Sequence, residues 1–246
     1  MTDVSYEVVD NVARMTLRAP ERRNALTPQM AAEIVAAIDR ADADESVGAI
    51  LITGGASFCA GADRGLLADT EADPAGDRSY RTISGIYNSF LRLGTTKSPT
   101  VAAVRGAAVG AGLNLAMATD LRIVSRDARL LSGFARIGLH PGGGHFGLLA
   151  RSAGREAAAA IGLFGCQISG SRACELGMAW QAVDDADVEQ VALDLARQAA
   201  ADPALSREMV ASFRRQCELP GASWDAGVQI ERSPQMWSFR RRADLM

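Results

Sequence analysis

Val104-Arg105-Gly106-Ala107-Ala108-Val109-Gly110-Ala111-Gly112-Leu113-Asn114-Leu115-Ala116-Met117-Ala118-Thr119-Asp120 is the stretch from which the fold is read. It continues an apolar strand, Thr100 to Val104, through a turn of small residues into an apolar helix expected to begin at about Ala111. The first N–H groups of a helix have no partner within it, and the helix dipole adds partial positive charge there. Gly110 and Gly112, with only a methyl at Ala111, would let a ligand oxygen approach that backbone. Taken alone, the small residues are better explained by close helix–strand packing.

A second stretch of the same kind lies upstream. Strand-like Ala49 to Thr53 runs into Gly54-Gly55-Ala56-Ser57 and then Phe58-Cys59-Ala60-Gly61-Ala62-Asp63. Two strand-to-turn junctions can supply two convergent N–H groups, the requirement of an oxyanion hole, in which one donor is worth roughly 3–4 kcal/mol in the transition state.

With Gly138-Leu139-His140-Pro141-Gly142-Gly143-Gly144 downstream, these motifs resemble the crotonase superfamily, also called the enoyl-CoA hydratase/isomerase family. The resemblance spans nearly the whole chain. It implies an α/β fold, a spiral of ββα repeats with a C-terminal helical trimerisation module. The core is expected over residues 1–190 and the oligomerisation region over 191–246, within one domain overall. The resemblance implies a homotrimer or dimer of trimers, and Ala62 and Ala111 as the N–H donors that hold a thioester oxygen as it becomes an enolate.

Hydratases of this family use two glutamates to add water. Carried onto this sequence, the first position, three residues after the second N–H donor, is Asn114, and the second, seven residues before Pro141, is Phe134. No Asp or Glu occurs from Ser98 to Thr119 or from Ala128 to Arg155. An amide orients groups but takes no proton at neutral pH. The expectation is therefore an acyl-CoA binder of this family whose reaction is open. It is expected to stabilise the enolate of its thioester as a hydratase/isomerase-family protein, the alternatives being a carrier without turnover or an enzyme of different enolate chemistry, such as decarboxylation or thioester hydrolysis.

The two histidines, His140 and His145, flank the Gly-rich turn. His140 is the better substitute base, while packing (His140) and a helix-start role (His145) are the plain readings. Asp63 reads as a turn cap, and Ser132 and Arg136 as substrate contacts or, no less readily, as structural residues. Arg22 and Arg23 precede Asn24-Ala25-Leu26, a loop that in relatives touches the CoA nucleotide. By that resemblance one arginine faces phosphate, and Ala25, Ala60, Ala62 and Asp63 border the CoA site. No cofactor is expected beyond coenzyme A as part of the substrate, and no metal.

Composition sets the outer limits. The 246 residues suffice for one large core, and 48% hydrophobic with 22% charged residues is ordinary for a globular protein. A net charge of −3 gives no general attraction to nucleic acid or anionic membrane. Lys97, the only lysine, sits in a turn-like setting unsuited to Schiff-base chemistry. Cys59, Cys166, Cys174 and Cys217 form no C-x-x-C pair and read as buried or partly buried thiols. With no signal-like N-terminus and no membrane-length segment, a cytoplasmic location is expected.

Along the chain, the expected order is a hairpin of Ser5 to Asp10 and Val12 to Leu17, a helix from Thr27-Pro28 to about Ala43, and the Ala49 strand. An acidic loop from Asp69 to Asp77 then leads into a helix from Tyr80 to Leu93. After the Leu121 to Val124 strand come helices over His145 to Ser152, Arg155 to Leu163, Arg172 to Leu176, Asp187 to Ala201, Leu205 to Cys217 and Ala226 to Arg242. Pro220-Gly221 separates the last two.

Overall fold

A computed structural model describes residues 2–217 and 224–243. Strands β1 (Val4–Val9) and β2 (Val12–Leu17) form the opening hairpin, in register from Val4 opposite Leu17 to Val9 opposite Val12. Asp10 and Asn11 close it with φ of 51° and 60°, the pair of positive values a two-residue hairpin turn of the strand's own twist demands. Helix α1 (Pro28–Ala43) then starts as its sequence dictates. The Thr27 side chain accepts from the Met30 N–H at 3.1 Å, and proline fills the first helical position. Thr27→Ala is expected to remove about 1 kcal/mol of stability, read as a lower urea midpoint with an unchanged slope.

Strand β3 (Ala49–Thr53) pairs in parallel with β2 and with β4 (Thr100–Val104). Then β6 (Leu121–Ser125) and β9 (Gln181–Val183) extend the sheet, giving the order β1-β2-β3-β4-β6-β9. A shorter sheet joins β5 (Ala107–Val109), β7 (Arg129–Leu131) and β8 (Ile168–Ser169).

The middle strands β3 and β4 are apolar along their length because both faces of the large sheet are covered. Successive side chains point to opposite faces. Ile50, Ile52, Ala102 and Val104 enter the main core with α1 and α3 (Asp77–Gly94). Leu51, Val101, Ala103 and Ile123 meet Val188, Ala192 and Ala196 of α7 (Val188–Ala199) on the other side.

Three local readings change. The acidic stretch from Asp69 is not a loop throughout, because residues up to Ala72 belong to α2 (Arg64–Ala72). Asp63 caps that helix, Leu66 and Thr70 are buried on its inner face, and the Thr70 hydroxyl donates to the Leu66 carbonyl at 2.8 Å. The glycine-rich turn after β4 itself contains a strand, β5. The helices expected on either side of Gly154 run as one element, α5 (His145–Gly162), kinked at that residue (φ 79°, ψ 170°).

Helices α4 (Ala111–Met117) and α6 (Gly170–Glu175) are short. Pro203 opens α8 (Pro203–Cys217), and α9 (Trp224–Ala243) closes the described chain, packing against α2 and α5. The Pro220-Gly221 break and the side chains of Arg241 and Arg242 lie outside the described residues. Of the thiols, Cys59 is buried, Cys174 half-buried, and Cys166 and Cys217 are exposed, contrary to the expectation for the last two. No described helix is long and apolar enough to cross a membrane.

Candidate active site

The two small-residue turns lie side by side. Cys59 pairs in parallel with Ala108: its N–H donates to the Ala107 carbonyl and its carbonyl accepts from the Val109 N–H, both at 3.0 Å. Residues 60–62 and 109–111 therefore leave this pairing together. A methyl added at Gly61 would stand 2.8 Å from the Val109 carbonyl oxygen and 3.9 Å from the Ala111 nitrogen. At Gly112 a methyl would meet the Cys59 carbonyl oxygen, and its Sγ at 2.8 Å. Glycine is what allows the two backbones to come this close.

On the first turn, the Leu26 N–H donates to the Gly61 carbonyl at 2.7 Å and the Asp63 N–H to the Leu26 carbonyl at 3.0 Å, which leaves the intervening Ala62 N–H outside that pairing. Ala111 is the first residue of α4, before the first intrahelical donor, Asn114. Among the described residues neither the Ala62 nor the Ala111 N–H has an acceptor.

One helical turn past Ala111, Asn114 is fully buried. Its Nδ2 donates to the Gly142 carbonyl at 3.0 Å, so Oδ1 is the atom that faces His145 Nδ1 at 2.6 Å. The far nitrogen of that ring, Nε2, is 2.8 Å from Ser132 Oγ. His145 has no exposed surface, and burial lowers its pKa to about 3, so the imidazole is neutral. Phe134 is half-buried, and its ring meets His145 edge-on with centroids 5.1 Å apart. A methyl at Gly110 would lie 3.6 Å from the tip of the same ring.

His140 lies close enough to Glu231 for their charges to interact. Its Nδ1 is 2.6 Å from the neighbouring Pro141 carbonyl, which accepts the Nδ1 proton, and its ring lies edge-on to Phe146. Asp63 caps α2, accepting from Gly65 and Leu66 N–H at 2.9 and 3.3 Å. Arg136 reaches the Gly165 carbonyl at 3.2 Å, away from Ser132. The Arg22-Arg23 loop does border the first turn: the Arg23 carbonyl accepts from the Ala60 N–H at 3.0 Å. Arg22 is bound to Asp3 at 2.5 Å and Glu21 at 2.8 Å. Arg23 is exposed and makes no ion pair among the described residues. Ala25 is buried, and Ala60 and Ala62 are half-buried.

One carboxylate at this site was not anticipated. Glu231 of α9 is 6% exposed and accepts from the N–H groups of Gly144, His145 and Phe146 at 2.8, 2.9 and 3.1 Å. It satisfies the start of α5, where a negative charge meets the positive end of the helix dipole. Burial raises its pKa, and the three N–H donors oppose that rise. The sequence did carry a signal for it. Val228, Glu231, Gln235 and Phe239 recur at helical spacing, and all four are buried, so the one acid on that face needs a partner. From α3, the Phe90 ring and the Tyr87 hydroxyl press on Gly143 and Gly142. Arg232 of α9 lies over the Tyr87 ring at 5.3 Å and donates to Ser84 Oγ at 2.6 Å.

These features define a mixed α/β protein whose two strand-to-helix turns meet over a buried polar network closed by the last helix. The enoyl-CoA hydratase/isomerase family model matches residues 7–231, and the chain belongs to that family. It is 43% identical over 245 residues to "Probable enoyl-CoA hydratase EchA14" of Mycobacterium tuberculosis, covering 96% of this chain and 92% of the relative. It is 34% identical over 244 residues to 1,2-epoxyphenylacetyl-CoA isomerase of Escherichia coli, covering 98% and 91%. The crystal structure of an enoyl-CoA hydratase/isomerase from Xanthobacter autotrophicus superposes with a TM-score of 0.86 at 32% identity, covering 99% of this chain and 93% of that one.

Proposed function

We propose that this protein binds an acyl-CoA thioester with its carbonyl oxygen between the Ala62 and Ala111 N–H groups, which stabilise the oxyanion as an enolate forms. The carrying observation is the adjacency of the Gly61 turn and the Ala111 nitrogen, with neither N–H spent on another acceptor. Two donors fixed by paired backbone need no reorganisation as charge develops. Family hydratases add water with two glutamates. Here those positions hold Asn114, bound to Gly142 and His145, and Phe134, an apolar wall. The ordinary hydration machinery is therefore missing, and the reading is an acyl-CoA protein of this family without crotonase-type hydration. His140 donates its Nδ1 proton to the Pro141 carbonyl, so any base role would fall to its Nε2.

Arg23 is the phosphate ligand in this reading, since Arg22 is already neutralised by Asp3 and Glu21. Ala25, Ala60 and Ala62 line the adenine side, with Asp63 at its edge. Assembly into trimers is supported by the exposed stripe Leu205, Met209 and Phe213 along α8, beside a cleft of about 430 Å³. In that assembly the core through residue 190 carries the N–H donors and the region from residue 191 the contacts, with Glu231 of α9 returning to the site.

Calorimetry with crotonyl-CoA, and chromatography of the same batch for the hydrated 3-hydroxyacyl-CoA, test the reading. Binding without hydration is expected. Arg23→Ala should weaken binding about tenfold, as loss of a charge-assisted contact implies, and Arg22→Ala less. Hydration at rates typical of enzymes would overturn the absence of acid/base machinery, and no binding would overturn the site.

A further inference from the structure

The buried network beneath the oxyanion turn has a direction. Asn114 Nδ2 is committed to the Gly142 carbonyl, so Oδ1 accepts the proton on His145 Nδ1. A neutral imidazole protonated on Nδ1 carries its lone pair on Nε2. The group facing that lone pair, 2.8 Å away, is the Ser132 hydroxyl, which must donate. Serine, histidine and an orienting amide in this order are the working parts of a nucleophilic triad, recognised by geometry and not by chain order.

Its place matters as much as its order. Ser132 follows β7, which pairs with β5 directly before the oxyanion turn. The Gly110 N–H donates to the Leu131 carbonyl at 3.1 Å, and the Ser132 carbonyl lies 3.2 Å from where a methyl on Gly110 would be. Ser132 thus flanks the residue before Ala111, and Asn114 lies one helical turn beyond it. The triad brackets an N–H donor. Glu231, holding the His145 N–H at 2.9 Å, fixes the base of the ring.

We propose that Ser132, His145 and Asn114 are a Ser–His–Asn acyl-transfer triad, and that the protein hydrolyses acyl-CoA thioesters through an acyl-Ser132 intermediate. The inference rests on the acyl-CoA binding proposed above and gives it a reaction in which the two N–H groups face a tetrahedral oxyanion in place of an enolate. Ser132 is 2% exposed, so a thioester reaches it only if the packing around the Phe134 ring, edge-on to His145, opens. Ser132 Oγ bonds to the carbonyl carbon as its proton passes to His145 Nε2, and the carbonyl electron pair becomes an oxyanion facing Ala62 and Ala111. Collapse breaks the C–S bond, and the departing sulfur takes the proton from Nε2 to leave as the CoA thiol. Water then repeats the sequence: its proton goes to Nε2, its oxygen bonds to the acyl carbon, and the ester C–O bond breaks. Ser132 recovers a proton and the carboxylic acid leaves. In so dry a site the imidazolium forms only together with the oxyanion, whose charge offsets it.

The test uses the full-length protein with acetyl-, butyryl-, octanoyl- and phenylacetyl-CoA, with free CoA quantified by chromatography. A non-hydrolysable butyl-CoA thioether reports binding. An alkyl fluorophosphonate, read by intact mass and peptide mapping, reports the serine without any need for CoA. Expected are CoA release, an adduct at Ser132, and loss of release by about a thousandfold in Ser132→Ala with thioether binding retained. Ser132→Cys, which preserves size and network, should accumulate a covalent acyl adduct and guards against a folding defect. Thioether binding with neither CoA release nor an adduct at Ser132 overturns the triad and leaves the binding reading standing. An adduct at Ser132 without thioether binding supports the nucleophile and overturns acyl-CoA as its substrate.

Discussion

Between pH 7 and pH 5 the protein should lose about 2 kcal/mol of stability through His145 alone, and His145→Gln should not show this loss. The folded-state pKa of His145 is lowered to about 3 by burial, whereas in the unfolded chain it titrates near the ordinary histidine value. In that window the unfolded state binds a proton that the folded state refuses. Stability therefore rises with pH between about 3 and 6.5 and is withdrawn on acidification. Urea unfolding of both proteins across pH 5 to 8 checks it. The variant should be weaker at pH 7, by about 1–3 kcal/mol for a broken buried network. Its difference from the wild type should narrow as the pH falls. A constant difference at every pH would show that His145 is not held neutral.

Gly61→Ala should damage the site more than any substitution of a surface side chain. The added methyl would stand 2.8 Å from the Val109 carbonyl oxygen, backbone against backbone, and Gly61 has a φ of +97° that other residues adopt only under strain. The turns can relieve the contact only by moving apart, which separates the Ala62 and Ala111 N–H groups. Thermal unfolding should report a loss of about 1–3 kcal/mol. Turnover of any thioester substrate should fall about a hundredfold or more, the scale of one misplaced oxyanion donor. An alanine variant as stable and as active as the wild type would remove the pairing of the turns from the mechanism.

Much of this arrangement follows from local pattern. Thr27-Pro28 announces α1, Asp10-Asn11 the hairpin turn, and the unbroken apolar runs of β3 and β4 a sheet covered on both faces. The acidic stretch from Asp69 misleads because its charges are the outer face of α2, whose inner face depends on Leu66 and Thr70 meeting the rest of the fold. The polar network has no local signature either. Asn114, Ser132 and His145 sit on three separate elements, so no spacing relates them. His140 invites attention as the histidine beside the turn, and only the packed structure turns its Nδ1 to Pro141 and places His145 inside instead.

The sequence by itself determined the family, the main strands of the large sheet, most of the helices and the two glycine-rich turns, because each depends on residues close in the chain: small side chains at fixed offsets, a cap, an apolar alternation. Tertiary structure alone decided that Gly61 lies against Val109, that Ser132, His145 and Asn114 share protons, and that Glu231 returns to the start of α5. Those contacts join residues far apart in sequence. They form because a buried hydrogen-bonding group must find a partner wherever the packed core places one.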